Sequence, residues 1–151
     1  MTASPARPRF VVCEDGDEYL QRYARFLDAE FEFVPAGDAA ALEDALSAPA
    51  SGVILDLDFR RTPPELLVDE SGETHAALPD EERRRLAESQ GILILRRLRA
   101  RGHAHPALLC ADLDDADQIA FLERTLAPLQ IVPSHESLVT TAARLRALSA
   151  P

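Results

Sequence analysis

The chain has 151 residues, 46% of them hydrophobic, with a formal net charge of −10 at pH 7. That is enough chain for one domain with a real core, and its charge argues against nucleic acid and against an anionic membrane surface as partners. No apolar run approaches the ~20 residues needed to span a bilayer, and the start has no apolar signal-peptide core, so the expectation is a cytoplasmic protein without membrane insertion.

Residues 1–8 read as a short disordered arm, and residues 9–150 as a single domain. Phe10-Val11-Val12-Cys13 is an apolar run closed by Glu14-Asp15-Gly16-Asp17, which reads as a buried strand ending in an acidic turn. Asp17 is a candidate N-cap for a helix from Glu18 to Asp28, with Leu20, Tyr23, Ala24 and Leu27 at helical spacing. Phe31 to Val34 fits an edge strand. Asp38 is placed to cap a second helix through Leu46.

Val53-Ile54-Leu55 then runs straight into Asp56-Leu57-Asp58. An unbroken apolar run ending in a carboxylate reads as a central strand of a parallel sheet, buried on both faces. Such a strand delivers its last residues to the carboxyl edge, where open α/β folds build their sites. Asp56 is therefore the centre of any site this chain has.

Residues 60 to 90 are poor in apolar side chains and too long for an ordinary connection, which marks them as functional or mobile. Within them, Leu78-Pro79-Asp80-Glu81-Glu82 is a helix start, and that helix either ends near Gly91 or continues to Arg101. Gly91 to Arg101 reads as a basic amphipathic helix with Ile92, Leu95 and Leu98 on one side. Pro106 to Ala111 is a fourth strand, Gln118 to Leu126 a helix, and Leu129 to Val132 a fifth strand. Ser134 or Ser137 begins a last helix carrying Leu138, Ala142, Leu145 and Leu148. Strand and helix alternate five times, which argues for an open parallel sheet covered on both faces. Right-handed crossovers then bring Glu14, Asp15 and Asp56 to one edge.

All 16 basic residues are arginine. A mechanism that needs an ammonium group must use a guanidinium instead, and the two are not interchangeable. Cys13 and Cys110 lie in apolar runs and read as buried reduced thiols. His75, His103 and His105 have the look of surface loop residues. The clusters Arg83-Arg84-Arg85 and Arg96-Arg97-Arg99-Arg101 are either a docking face for an acidic partner or solvated helix surface balanced by nearby carboxylates.

In this order the residues resemble response-regulator receiver domains, the phosphoacceptor modules of two-component signalling. The resemblance spans Phe10 to Leu148. It rests on the acidic pair Glu14-Asp15 after the first strand, Asp56 at the end of the third, the glycine-led helix from Gly91, Pro106 opening the fourth strand and Pro133 after the fifth. It implies a flavodoxin-like (CheY-like) doubly wound α/β fold with strand order 2-1-3-4-5, enlarged between the third strand and third helix by residues 60–90, either a lid or a docking surface. It also implies Asp56 as candidate phosphoacceptor. A Mg²⁺ ion would take Asp15, Asp56 and the main-chain carbonyl of Asp58, with Glu14 nearby, unless the pocket is vestigial and holds no cofactor.

The rest of the family site is missing. The family lysine falls on Val132, the Ser/Thr of the fourth strand on Ala111 (or, one residue earlier, Cys110), and the aromatic switch on Leu129. An arginine of the long connection, Arg60 or Arg61, could reach in, although nothing in the sequence requires it. That pattern resembles a pseudo-receiver: a stand-alone, non-enzymatic signalling domain acting through protein–protein contact, independently of Asp56 phosphorylation. The alternative is an atypical receiver phosphorylated at Asp56 with Mg²⁺. An enzyme reading, a haloacid-dehalogenase-type phosphatase built on Asp56-Leu57-Asp58, lacks its lysine and has Arg60 where a small residue belongs. The implied partners are a histidine kinase or a downstream signalling protein, with a homodimer through Gln118–Leu148 as a further expectation. The chain ends shortly after its last helix with no output domain, so the signal is expected to leave by protein contact.

Overall fold

The structure, a computed structural model, describes residues 6–150. Five short apolar runs form the strands β1 (Arg9–Cys13), β2 (Glu32–Ala36), β3 (Gly52–Asp56), β4 (Ala107–Cys110) and β5 (Leu129–Val132). They pair in parallel as one sheet in the order β2-β1-β3-β4-β5. The helices are α1 (Glu18–Leu27), α2 (Ala39–Ala45), α3 (Asp80–Glu88), α4 (Gln90–Ala100), α5 (Ala116–Thr125) and α6 (Leu138–Ser149). The expected flavodoxin-like architecture and strand order are therefore present.

The strand sequences explain the two-layered packing. Side chains alternate across a strand, so a strand buried on both faces must be apolar throughout. Phe10 and Val12 of β1, Ile54 of β3 and Leu108 of β4 face one core with Tyr23 of α1 and Leu145 of α6. Val11, Val53, Leu55 and Leu109 face a second core with Leu42 of α2, Leu95 of α4 and Leu122 of α5. β2 lies at the edge, where Pro35 is tolerated opposite Val12 because a ladder donor is dispensable there.

Several local expectations change. Asp17 does not cap α1 with its side chain; the carboxylate of Glu14 does so from the end of β1, as described below. Asp38 and Ser137 cap α2 and α6, accepting from Ala41 N and Thr140 N. Residues 1–5 of the expected arm lie outside the described residues. Arg7 is tied by its guanidinium to Asp28 Oδ1 at 3.0 Å, and the Pro8 carbonyl accepts from Glu32 N at 2.9 Å.

The long connection between β3 and α4 departs most from expectation. Phe59, Leu67 and Val68 are fully buried in the core that α4 faces. Gln90, itself buried, clamps the segment: Val68 N donates to its Oε1 at 2.8 Å, and its Nε2 donates to Val68 O at 3.0 Å and Leu86 O at 3.1 Å. Ser89 separates α3 from α4, so the two are not one continuous helix. Because the connection covers its far side, Ile92, Leu93, Ile94 and Leu95 of α4 are all buried, where the sequence suggested an apolar stripe on one side. Gly91 is required at the start of α4. A Cβ there would lie 2.1 Å from the main-chain oxygen of Asp56, and its N–H donates to Leu57 O at 3.0 Å.

Candidate functional site

The carboxyl ends of β1 and β3 lie side by side, with Cys13 in register with Leu55. The next residues, Glu14, Asp15 and Asp56, therefore emerge at one edge, as the alternation of strands and helices required. Each carboxylate then meets a different fate.

Glu14 is buried and turned under α1, where Oε1 accepts from Tyr19 N at 3.1 Å and Oε2 from Leu20 N at 3.0 Å. Both oxygens satisfy N–H groups that the helix start leaves without partners, and the helix dipole favours the negative charge there. Burial raises the Glu14 carboxyl above the usual carboxylate range, and the two N–H groups oppose that shift.

Asp15 carries a side chain only 3% exposed. Its partner is Arg61, from the loop after β3. Arg61 N donates to Asp15 Oδ2 at 2.9 Å, and its Nη2 donates to Oδ1 at 3.0 Å. The same guanidinium reaches Glu18 Oε1 through Nη1 at 2.7 Å. That contact holds the Glu18 carboxyl down to about 2. Asp58 is taken by its near neighbour: Arg60 Nη2 and Nε donate to Asp58 Oδ2 at 2.5 and 3.1 Å.

Asp56 stands apart. Oδ1 accepts from Leu57 N at 2.9 Å, and Oδ2 has no hydrogen-bond donor among the described residues. Burial pushes its carboxyl up to about 6; the Leu57 N–H opposes this, and the charges of Asp15, Glu14 and Asp58 add to it. It lines a cavity of about 250 Å³ with Glu14, Glu18, Tyr19, Arg22, Arg61, Ser134 and His135. Most donors on that rim are engaged. Arg22 Nη2 donates to Glu136 O at 2.9 Å, and Ser134 donates from N and Oγ to the Asp112 carboxylate. The sequence pointed to Asp56 and to an arginine of the following loop, but not to Ser134 as a rim residue. Ser134 carried only the signal of a helix cap.

The strand register also settles the neighbours. Asp56 pairs with Cys110, and Cys110 with Val132. Cys110 and Val132 are buried in the α1/α6 core, whereas Ala111 packs in the opposite one. The thiol, pushed up to about 12 mainly by burial, is therefore the β4 group level with Asp56, not Ala111.

Mg²⁺ needs several hard oxygens free to face one point. As they stand, these residues do not fit it. Glu14 and Asp15 already use both oxygens on N–H and guanidinium groups and the Asp58 side chain is held by Arg60, which leaves only Asp56 Oδ2 and the Asp58 main-chain carbonyl without a donor among the described residues. No set of three or more His, Cys, Asp or Glu among the described residues is disposed to hold a metal. The phosphatase reading meets the same obstacle, since Asp58 is committed to Arg60.

Four of the seven arginines in the basic clusters are engaged within the chain. Arg85 pairs with Glu70 and Glu82, and Arg97 and Arg101 with Glu43. Arg99 donates to the carbonyls of Leu126, His103 and Pro128. These four arginines brace the fold, while Arg83, Arg84 and Arg96 make no ion pair among the described residues. His75 is exposed and contacts Asp69, whereas His105 is half-buried, with its Nδ1 unpartnered. Both thiols are buried and free. No helix among the described residues is long and apolar enough to cross a membrane.

No protein-family model and no curated protein matches the sequence. Solved structures do match in fold. The receiver domain of the Francisella response regulator 1452 superposes with a TM-score of 0.64 at 14% identity, covering 94% of this chain and 96% of that one. The Vibrio cholerae chemotaxis protein CheY4 gives 0.63 at 15% identity, covering 95% and 99%. The BeF3-activated N-terminal receiver domain of Klebsiella pneumoniae RstA gives 0.61 at 19% identity, covering 94% and 99%. At these identities the likeness establishes a shared CheY-like fold.

Proposed function

We propose that this chain is a pseudo-receiver, a signalling domain that acts through protein–protein contact without phosphorylation of Asp56. The receiver fold supports the signalling role. The observation that carries the finer reading is the pair of buried residues in register beside Asp56. An aspartyl phosphate needs donors or cations at its equatorial oxygens. Cys110 and Val132 supply neither a hydroxyl nor an ammonium group there, and Arg61 is held by Asp15 and Glu18.

The partner is a protein: a histidine kinase or a downstream signalling component. The stretch Gln118–Leu148 is its proposed contact face, or that of a second copy. Phe121 and Val139 in this stretch are 48% and 81% exposed, apolar surface that a contact there would cover.

The test is intact mass after incubation with acetyl phosphate and Mg²⁺, for the wild type and Asp56→Asn. The wild type is expected to stay unmodified. A stoichiometric phosphoryl adduct that disappears in Asp56→Asn would overturn the pseudo-receiver reading and establish the atypical phosphorylatable receiver in its place.

A further inference from the structure

The poor fit of the acidic edge to Mg²⁺ has a specific cause. The geometry points to Arg61 as a built-in counter-ion that takes the place of a divalent cation at the Asp15 carboxylate, next to Asp56, and keeps such cations out.

Three observations converge on this. The Asp15 side chain is 3% exposed, and a carboxylate so buried needs a charge partner. Arg61 supplies it from main chain and side chain together, at 2.9 and 3.0 Å, while its own side chain stays 55% exposed. Gly16 makes room for it: a Cβ there would lie 2.5 Å from Arg61 Nη2. A larger residue would displace the guanidinium. Arg61 also lines both openings that Asp56 reaches, the 250 Å³ cavity and the shallower cleft formed by Asp15, Asp56, Asp58 and Arg60. A fixed positive charge at that junction repels an incoming cation and already holds the Asp15 oxygens it would need. The contact also ties the loop after β3 to the start of α1, which holds the edge in one conformation.

This inference deepens the pseudo-receiver reading and rests on the same site. Its test therefore uses Mg²⁺ alone, with no phosphoryl donor, so that its outcome is separate from that of the adduct experiment. Thermal unfolding and calorimetric titration with MgCl2 would be compared for wild type, Arg61→Ala, Gly16→Ala and Arg61→Ala/Asp15→Asn. Arg61→Ala is expected to unfold at a lower temperature in chelator and to regain stability as Mg²⁺ is added, binding it about tenfold or more tighter than wild type. Gly16→Ala should gain affinity in the same direction by displacing the guanidinium, and the double variant should lose the gain. Wild-type protein that binds Mg²⁺ as tightly as Arg61→Ala would overturn the proposal. An Arg61→Ala protein that folds and remains indifferent to Mg²⁺ would do the same.

Discussion

Replacing Asp56 by Asn should stabilise the protein at neutral pH. The carboxylate sits at a half-buried edge, faced by Glu14 and Asp15 from the end of β1, Asp58 on its own loop, Tyr19 and Arg22 of α1, Arg61 after β3, Cys110 of β4, and Ser134 and His135 after β5. Its carboxyl is pushed from 3.8 up to about 6, first by burial. Each unit corresponds to about 1.4 kcal/mol, so ionising it in the fold costs ~3 kcal/mol at most; solvent access reduces that to about 1.5 kcal/mol. Asn keeps the acceptor for Leu57 N and removes the charge. Between pH 4 and 6 the folded state holds a proton that the unfolded chain has lost, so wild-type stability falls as pH rises through that window. Below pH ~4 both states are protonated and the cost disappears. Urea unfolding in chelator at pH 7.5 and pH 4 measures both limits. Asp56→Asn should be more stable by about 1.5 kcal/mol at the higher pH, some 3–6 °C in Tm, and nearly equal to wild type at the lower. A variant that is no more stable at pH 7.5, or whose advantage does not change with pH, would refute the reasoning.

Other substitutions separate structural roles from site roles. Glu14→Ala removes the acceptor for Tyr19 N and Leu20 N and should lower stability by about 2 kcal/mol in the same urea titration. Glu14→Gln, which keeps one acceptor oxygen, should lose less. Gln90→Ala leaves both the N–H and the carbonyl of Val68 buried without a partner; it should cost about 2–3 kcal/mol and speed amide exchange across residues 66–69 more than in the strands. Gly91→Ala drives a Cβ into the Asp56 carbonyl; we expect a loss of about 3 kcal/mol or complete failure to fold, and a neutral result would show that the start of α4 can move away from β3.

The fold was legible because its information is local and repeated. Three of the five strands, β1, β3 and β4, are runs whose apolar character survives on both faces, and β5 was placed from Leu129 to Val132 as it stands in the structure. Sheet order was not readable from periodicity; it came with the resemblance. The site was legible only as a placement of carboxylates at one edge. What each carboxylate binds depends on contacts between residues far apart in the chain, such as Arg61 with Asp15, and no pattern within a short window encodes them. Glu14 shows the limit most clearly. As a residue type it reads as a ligand, yet its neighbours five and six positions on turn it into a helix cap. Residues 60–90 misled for the opposite reason. Leu67 and Val68 are too few to show a period, and their burial is set by a surface of α4 that lies more than twenty residues away.

That shared surface makes the two segments a single unit of inheritance. A surface loop can usually lengthen, shorten or be exchanged between relatives without changes elsewhere. Here the connection and α4 must vary together, since Leu67 and Val68 share a buried core with α4 and Val68 is held by Gln90 at the head of that helix. Trimming the connection to make a minimal scaffold therefore calls for recoding α4 with polar residues in the same step. Transplanting it onto another chain of this fold calls for carrying α4, with Gln90 at its head, along with it.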